Sequence, residues 1–463
     1  MIKKIAILVI ATIFSTTVYS QTVRSSFFSM DQVQTSPKNN IVRTINTKEL
    51  VVSSFDSELM QETLTFLKDS EPFTYVALPS NYTINDMEVF EDRVYFCGKN
   101  TAKNCGYVGM IDAPTGSQSL GGFYFINIDS TSTLTKLVVF NNIVQFTDEV
   151  VAVGTPKNTS YKSCVVDLNN INPSTNSWEY KVAYTNDEEI FDVAVVSDDI
   201  VVTVGKEYQS GSGSGGILAS IPNFTLRLYK RDLVIGRGIE NIMYRCPIGL
   251  SFVTGDNLRL QKIDANNVAV VGICGSTNII SNTNDYKVFT RIVNVSNINI
   301  TNSQSVSIGL PTGNLQELEF FAKSNTLATV LNRTTDVGEV LFTNIGKTSD
   351  YSSSKIWKDG CSFGSMTHYG NNFFAISCAE NNSVYPPLLS ILQEGLNYYE
   401  NSYCSSNEAI QVTASSSNSQ LTALDKPFVF YTLRPIVEFE LAPMYQTNVT
   451  VHCANYYKTI NTK

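Results

Sequence analysis

The stretch Ile84-NDMEVFEDRVYFC-Gly98 decides how this chain folds. Apolar and polar residues alternate in its first arm, a tight polar turn follows, and a second apolar run stops at Gly98. Two short β-rich arms around a polar junction predict an antiparallel hairpin. The phrase returns in Leu137-VVFNNIVQFTDEVVAV-Gly154, Ile190-FDVAVVSDDIVVTV-Gly205 and Leu258-RLQKIDANNVAVV-Gly272. Weaker copies span 315–331, 363–378 and 421–432, so seven hairpins are expected.

The ends of the second arms (Gly98, Gly154, Gly205, Gly272, Leu331, Cys378 and Tyr431) lie 47 to 67 residues apart. A four-stranded propeller blade takes about 40–50 residues with tight loops, so each unit fits a blade with longer loops. A parallel β-helix would need far shorter coils, and a helical solenoid would need a 3.6-residue period that is missing. Outer strands are predicted at 107–111, 225–229, 288–293 and 339–342. On these repeats the chain resembles the seven-bladed β-propeller class, with six or eight blades as alternatives. The resemblance is to an architecture: no Trp-Asp pair closes a unit, and Gly121-Gly122 and Gly215-Gly216 do not recur as a blade signature. An all-β propeller forming one domain over residues 42–457 is therefore expected, with residues 458–463 as a tail. The segment 42–55 is expected to supply a strand that closes the ring.

Composition agrees. A hydrophobic content of 43% with 16% charged residues suits a large folded core, and 23 Tyr with 25 Phe favour strands. The net charge of −9 and the lack of a basic stripe exclude nucleic acid, which is bound through clustered Lys and Arg. Lys3 and Lys4 precede an apolar run from Ile5 to Phe14, and Val18 and Ser20 are small residues ahead of Gln21. Residues 1–20 thus form a signal peptide, too short in its apolar part for a span of about 20 residues. No transmembrane segment follows. The mature chain is expected to be monomeric, and secreted or held at the cell surface, with a poorly ordered leader at 21–41.

Nine cysteines in an exported chain are expected to pair mostly. The hairpin reading pairs Cys361 with Cys378, Cys246 with Cys274, Cys97 with Cys105 and Cys404 with Cys453, leaving Cys164 over. Each bridge would contribute roughly 2–4 kcal/mol.

Catalytic signatures are scarce. Only His368 and His452 are available, the first near a predicted turn, so His-based triads and zinc sites have little to build on. Gly211-SGSG-Gly216 matches the dinucleotide fingerprint, but it runs into Ile217-LASIP, a strand where that fold needs a helix. The carboxylates are more informative. Asp86 and Asp192 hold the same place in two hairpins, each at the start of a strand that a propeller would turn toward its central channel. They are the candidate ligand-binding residues, with Glu88, Glu189 and Glu317 as weaker ones. Tyr107, Phe123, Tyr124 and Trp178 are candidate sugar-stacking aromatics, though in an all-β protein such residues more often pack between blades. No cofactor is expected beyond a structural cation between the two aspartates. Three functions stay open: a non-enzymatic binder of an extracellular protein or glycan, a hydrolase or lyase using channel carboxylates, and a structural surface module.

Overall fold

The structure is a computed structural model of the 463-residue chain. It describes residues 22–30, 40–46, 49–56, 59–68, 73–114, 121–142, 147–171, 179–197, 200–208, 222–230, 238–244, 252–253, 258–278, 283–295, 301–309, 315–323, 326–333, 337–344, 351–359, 361–369, 373–380, 389–393, 406–412, 422–424, 428–442, 444–447 and 449–457. Every regular element among them is a β-strand, so no described helix is long and apolar enough to cross a membrane. The chain is all-β and built of antiparallel sheets.

Sheet one runs Ile41–Asn46, Glu49–Asp56, Gln61–Lys68 and Phe73–Ala77. Sheet two runs Tyr82–Phe90, Arg93–Asn100, Cys105–Asp112 and Phe123–Ile128. Sheet three follows with Thr131–Asn142, Thr147–Pro156, Ser163–Ile171 and Glu179–Thr185, and sheet four with Glu188–Ser197, Ile200–Tyr208, Pro222–Lys230 and Gly238–Tyr244. In sheet five, Phe252–Val253 and Arg259–Lys262 both pair with Asn267–Asn278, beyond which lie Thr283–Asn294 and Thr301–Gly309. A ten-stranded sheet completes the set, and it divides at a single parallel bridge between Val337 and Cys361. Its first half, sheet six, runs Leu315–Lys323, Thr326–Arg333, Val337–Asn344 and Tyr351–Asp359. Its second half, sheet seven, runs Cys361–Tyr369, Phe373–Glu380, Leu389–Gln393 and then Thr22–Met30. The predicted outer strands are the third strands of sheets two, four, five and six.

The first strand of each sheet packs against the first strand of the next, and Cys361–Tyr369 packs against Ile41–Asn46. Core forms between sheets because inner strands are buried on both faces. Along Arg93–Asn100, Val94 and Phe96 join the cluster shared with sheet one, while Tyr95 and Cys97 join the cluster shared with sheet three. Further clusters join sheets three to four and four to five. Full burial of one such side chain contributes about 1.5–3 kcal/mol.

The residues from Ser406 onward do something no local pattern predicts. Ser406–Val412 adds a fifth strand to sheet six, Thr422–Leu424 to sheet four, Phe430–Leu433 to sheet three, Ile436–Glu440 to sheet two and Met444–Thr447 to sheet one. Val449–Tyr457 then pairs with the N-terminal strand Thr22–Met30 in sheet seven. This peripheral belt corrects three expectations. The segment 421–432 is not a hairpin, because its two arms belong to different sheets. The segment 42–55 does not lend a closing strand; it forms the first hairpin of sheet one. Residues 22–30, expected to be poorly ordered, form a strand with a ladder on either side, so pairing overrides their polar composition.

Candidate functional site

The first strands of sheets two, three and four share one irregularity, a register shift at Ile84/Asp86, Leu134/Lys136 and Ile190/Asp192. One extra residue makes a bulge, which kinks the strand and re-aims the side chain after it. The bulge also explains the recurring glycine. A Cβ on Gly98, Gly154 or Gly205 would come within 3 Å of the carbonyl oxygen of Thr83, Thr133 or Glu189 respectively. The residues after the bulges, Asp86, Lys136 and Asp192, all line one cavity of about 460 Å³. Sheets one, five and seven contribute Arg43, Arg259 and Ser365 to the same walls.

Both aspartates are buried and held by hydrogen bonds that cross between sheets. Asp86 accepts the Leu137 N–H of sheet three at 3.1 Å and pairs with Arg43 of sheet one at 3.2 Å. The Lys136 ammonium stands 3.7 Å from the same carboxylate. Asp192 accepts its neighbour Val193 N–H at 2.8 Å and the Leu260 N–H of sheet five at 2.8 Å. Burial pushes the Asp192 carboxyl up to about 6, against the charges of Lys136 and Arg259 and the Leu260 N–H. Glu88 also lines the cavity and pairs with Arg43 at 3.4 Å; burial raises its pKa, and Arg43 opposes that rise. A charge pattern repeats here: in sheets two and four an aspartate caps the N–H that follows a cation of the next sheet, Lys136 before Leu137 and Arg259 before Leu260.

The seam between sheets seven and one meets the cavity too. Val42 N–H donates to Ser365 Oγ at 2.7 Å, and Arg43 Nη1 donates to the same oxygen at 3.2 Å. The Thr44 hydroxyl donates to the His368 carbonyl, so His368 serves here through its backbone within Cys361–Tyr369.

Other expected residues stand elsewhere. Glu189 pairs in register with Lys206 and is not among the cavity's lining residues. Glu317 follows a shift at Leu315/Glu317, the register position that Asp86 and Asp192 occupy in their sheets. Tyr107 and Phe123 are core between sheets one and two, and Tyr124 packs partly buried between sheets two and three. The aromatic side chains on the cavity wall are instead Phe90 and Phe140. Trp178 lies outside the described residues, and His452 lies in strand Val449–Tyr457. Lys136 was missed because it stands one residue before the copy of the repeat that begins at Leu137.

The cysteines need a correction. Cys97 and Cys105 are buried free thiols, as is Cys164. Cys105 pairs in register with Asn100, three residues along from Cys97, so the two sulfurs do not face each other across the turn. Burial raises all three thiols: Cys97 with help from the Asp86 charge, Cys105 with help from Asp129, and Cys164 to about 12. Cys378 pairs with Phe363 and Cys361 with Glu380, which sets those two cysteines diagonal where direct opposition was expected. Cys274 and Cys453 lie in strands Asn267–Asn278 and Val449–Tyr457, while their expected partners Cys246 and Cys404 lie outside the described residues. Among the described residues no group of three or more His, Cys, Asp or Glu side chains is placed to hold a metal ion. The Lys136 ammonium stands beside Asp86, and its charge also favours the ionised form of Asp192.

No protein-family model and no curated protein matches the chain. Among solved structures, that of the polysaccharide lyase Uly1 is similar, with a TM-score of 0.44 and 9% sequence identity, covering 82% of this chain and 100% of that one.

Proposed function

We propose that this chain is a closed seven-bladed propeller, exported and monomeric, that binds an extracellular protein or glycan in the cavity between its first strands. The observation that carries the proposal is the cavity itself, walled by first strands from six of the seven sheets and charged on five of them. Its volume of about 460 Å³ falls in the range of ligand sites, about 300–1,000 Å³. The cycle of first-strand neighbours, with sheet seven returning to sheet one, supports the closed ring.

Binding accounts for the carboxylates better than hydrolysis or elimination does. A general acid or base must reach the substrate proton at hydrogen-bond distance. Both oxygens of Asp192 are taken by backbone N–H groups, and Asp86 is held by Leu137 and Arg43. Such carboxylates fix the walls of a site. The test is a glycan array and an extracellular-protein binding screen with the secreted chain, each repeated with Lys136→Gln. Loss of a bound ligand at an unchanged unfolding midpoint supports the reading. Turnover of a glycan that disappears in Asp192→Asn would establish the enzymatic alternative, and a ligand indifferent to Lys136 would remove the cavity from the function.

A further inference from the structure

We infer that the cavity selects an uncharged polyhydroxylated ligand, a neutral sugar of one or two rings; this rests on the binding reading above. Around the walls the signs alternate: Arg43, Asp86, Lys136, Asp192, Arg259. The alternation ends at sheet seven, where Ser365 and Thr367 line the cavity with hydroxyls.

Such a wall discriminates by charge. Each cation stands next to carboxylates, as Asp86 does between Arg43 at 3.2 Å and Lys136 at 3.7 Å. A ligand with net charge meets attraction and repulsion at similar distances, so the Coulomb gain largely cancels. Its desolvation on entry is not repaid. A hydroxyl group is different, because it donates to a carboxylate and accepts from an ammonium or guanidinium at once. Adjacent hydroxyls on one ring therefore match adjacent walls of opposite sign. Each carboxylate oxygen has two acceptor positions, so Asp86 and Asp192 can accept a hydroxyl beside the backbone N–H bonds they already accept. Phe90, Phe140 and Met366 add apolar wall for the C–H faces of a sugar ring. A folded protein partner would not enter a space of this size.

Calorimetric titration of the secreted chain with glucose, galactose, mannose, N-acetylglucosamine and their disaccharides tests this, beside glucuronic acid and glucosamine as charged counterparts of one ring. An array of immobilised glycans separates recognition of a free sugar from that of a chain terminus. The expected result is neutral-sugar binding at least tenfold tighter than that of the charged counterpart. Lys136→Gln should weaken it at least tenfold. Lys262→Gln, at an exposed position on the cavity wall, should weaken it in the same direction if the first variant does not fold. Tighter binding of an acidic or amino sugar, lost in the same variants, would overturn the ligand class and leave the cavity as the binding site. A protein ligand lost in these variants would do the same. Sugar binding indifferent to both variants would overturn the site together with the ligand class.

Discussion

A single backbone oxygen decides what residue can stand opposite each bulge. At Gly154 a Cβ would press on the Thr133 carbonyl, and neither strand can yield without losing ladder bonds. Gly154→Ala is expected to lower stability by about 1–3 kcal/mol, read as a fall in the unfolding midpoint, while Gly121→Ala, with open space around it, should leave the midpoint in place. Glu62 carries a different tension. It is buried between sheets one and two, and burial pushes its carboxyl up to about 8, with the Ile84 N–H opposing. Its folded pKa lies above the ordinary value of 4.5, so its favourable contribution is complete below pH 4.5 and is lost as pH rises toward 8. Glu62→Gln should therefore stabilise the protein at pH 7, by at most about 3 kcal/mol, and give no gain at pH 4. Denaturant unfolding at the two pH values checks this; equal effects at both would show that Glu62 is not the titrating group.

At the scale of elements, the belt strand Ile436–Glu440 is held to sheet two by one side chain as well as by its ladder. Glu438 accepts from Tyr82 at 2.7 Å, from Asn127 at 3.1 Å and from Lys103. Partial burial works against its ionisation, but these donors prevail and hold its pKa below the usual carboxylate value. That stabilisation is present above pH 4.5 and disappears as pH falls through the lowered folded value. Glu438→Gln is expected to speed amide exchange in 436–440 while exchange in Arg93–Asn100, the interior of the same sheet, stays slow. Uniform acceleration through both strands would show that the belt does not detach by itself. The belt is also where reading the sequence failed. Inner hairpins are legible because strands buried on both faces, such as 94–97, give unbroken apolar runs with a polar turn. Belt strands bury little: Val429, Tyr431, Ile436, Phe439 and Leu441 are exposed, so 421–432 looks like a hairpin although its arms never meet. Half of the charged wall was legible for a related reason. Asp86 and Asp192 fall inside the repeated phrase, whereas Lys136 sits one residue before the copy that begins at Leu137, hidden by where the phrase was taken to start.

For the whole molecule, the belt changes what the sheets expose. Without it, sheets one, two and three would each end in a strand with unpaired N–H and C=O groups, the edges that promote association between chains. A chain ending after residue 427 is expected to elute as aggregates ahead of the full chain in size-exclusion chromatography, with far-ultraviolet dichroism still that of a β protein. A truncated chain that stays monomeric and as stable as the full one would show that the belt only decorates the edges.

The pairing of Thr22–Met30 with Val449–Tyr457 reaches into how the protein comes into being. Strand Thr22–Met30 has to wait for a partner made more than four hundred residues later, and the four belt strands from 422 to 447 dock in reverse of the order in which their sheets were made. Local hairpins can form early, but the pairing of Thr22–Met30 has to wait until residues 449–457 have been made. Contacts of such sequence separation make folding slow. On the exported reading proposed above this is an advantage of timing: until strand Val449–Tyr457 arrives the pairing cannot lock, and a polypeptide that has not locked is still a thread that a translocation channel can pass.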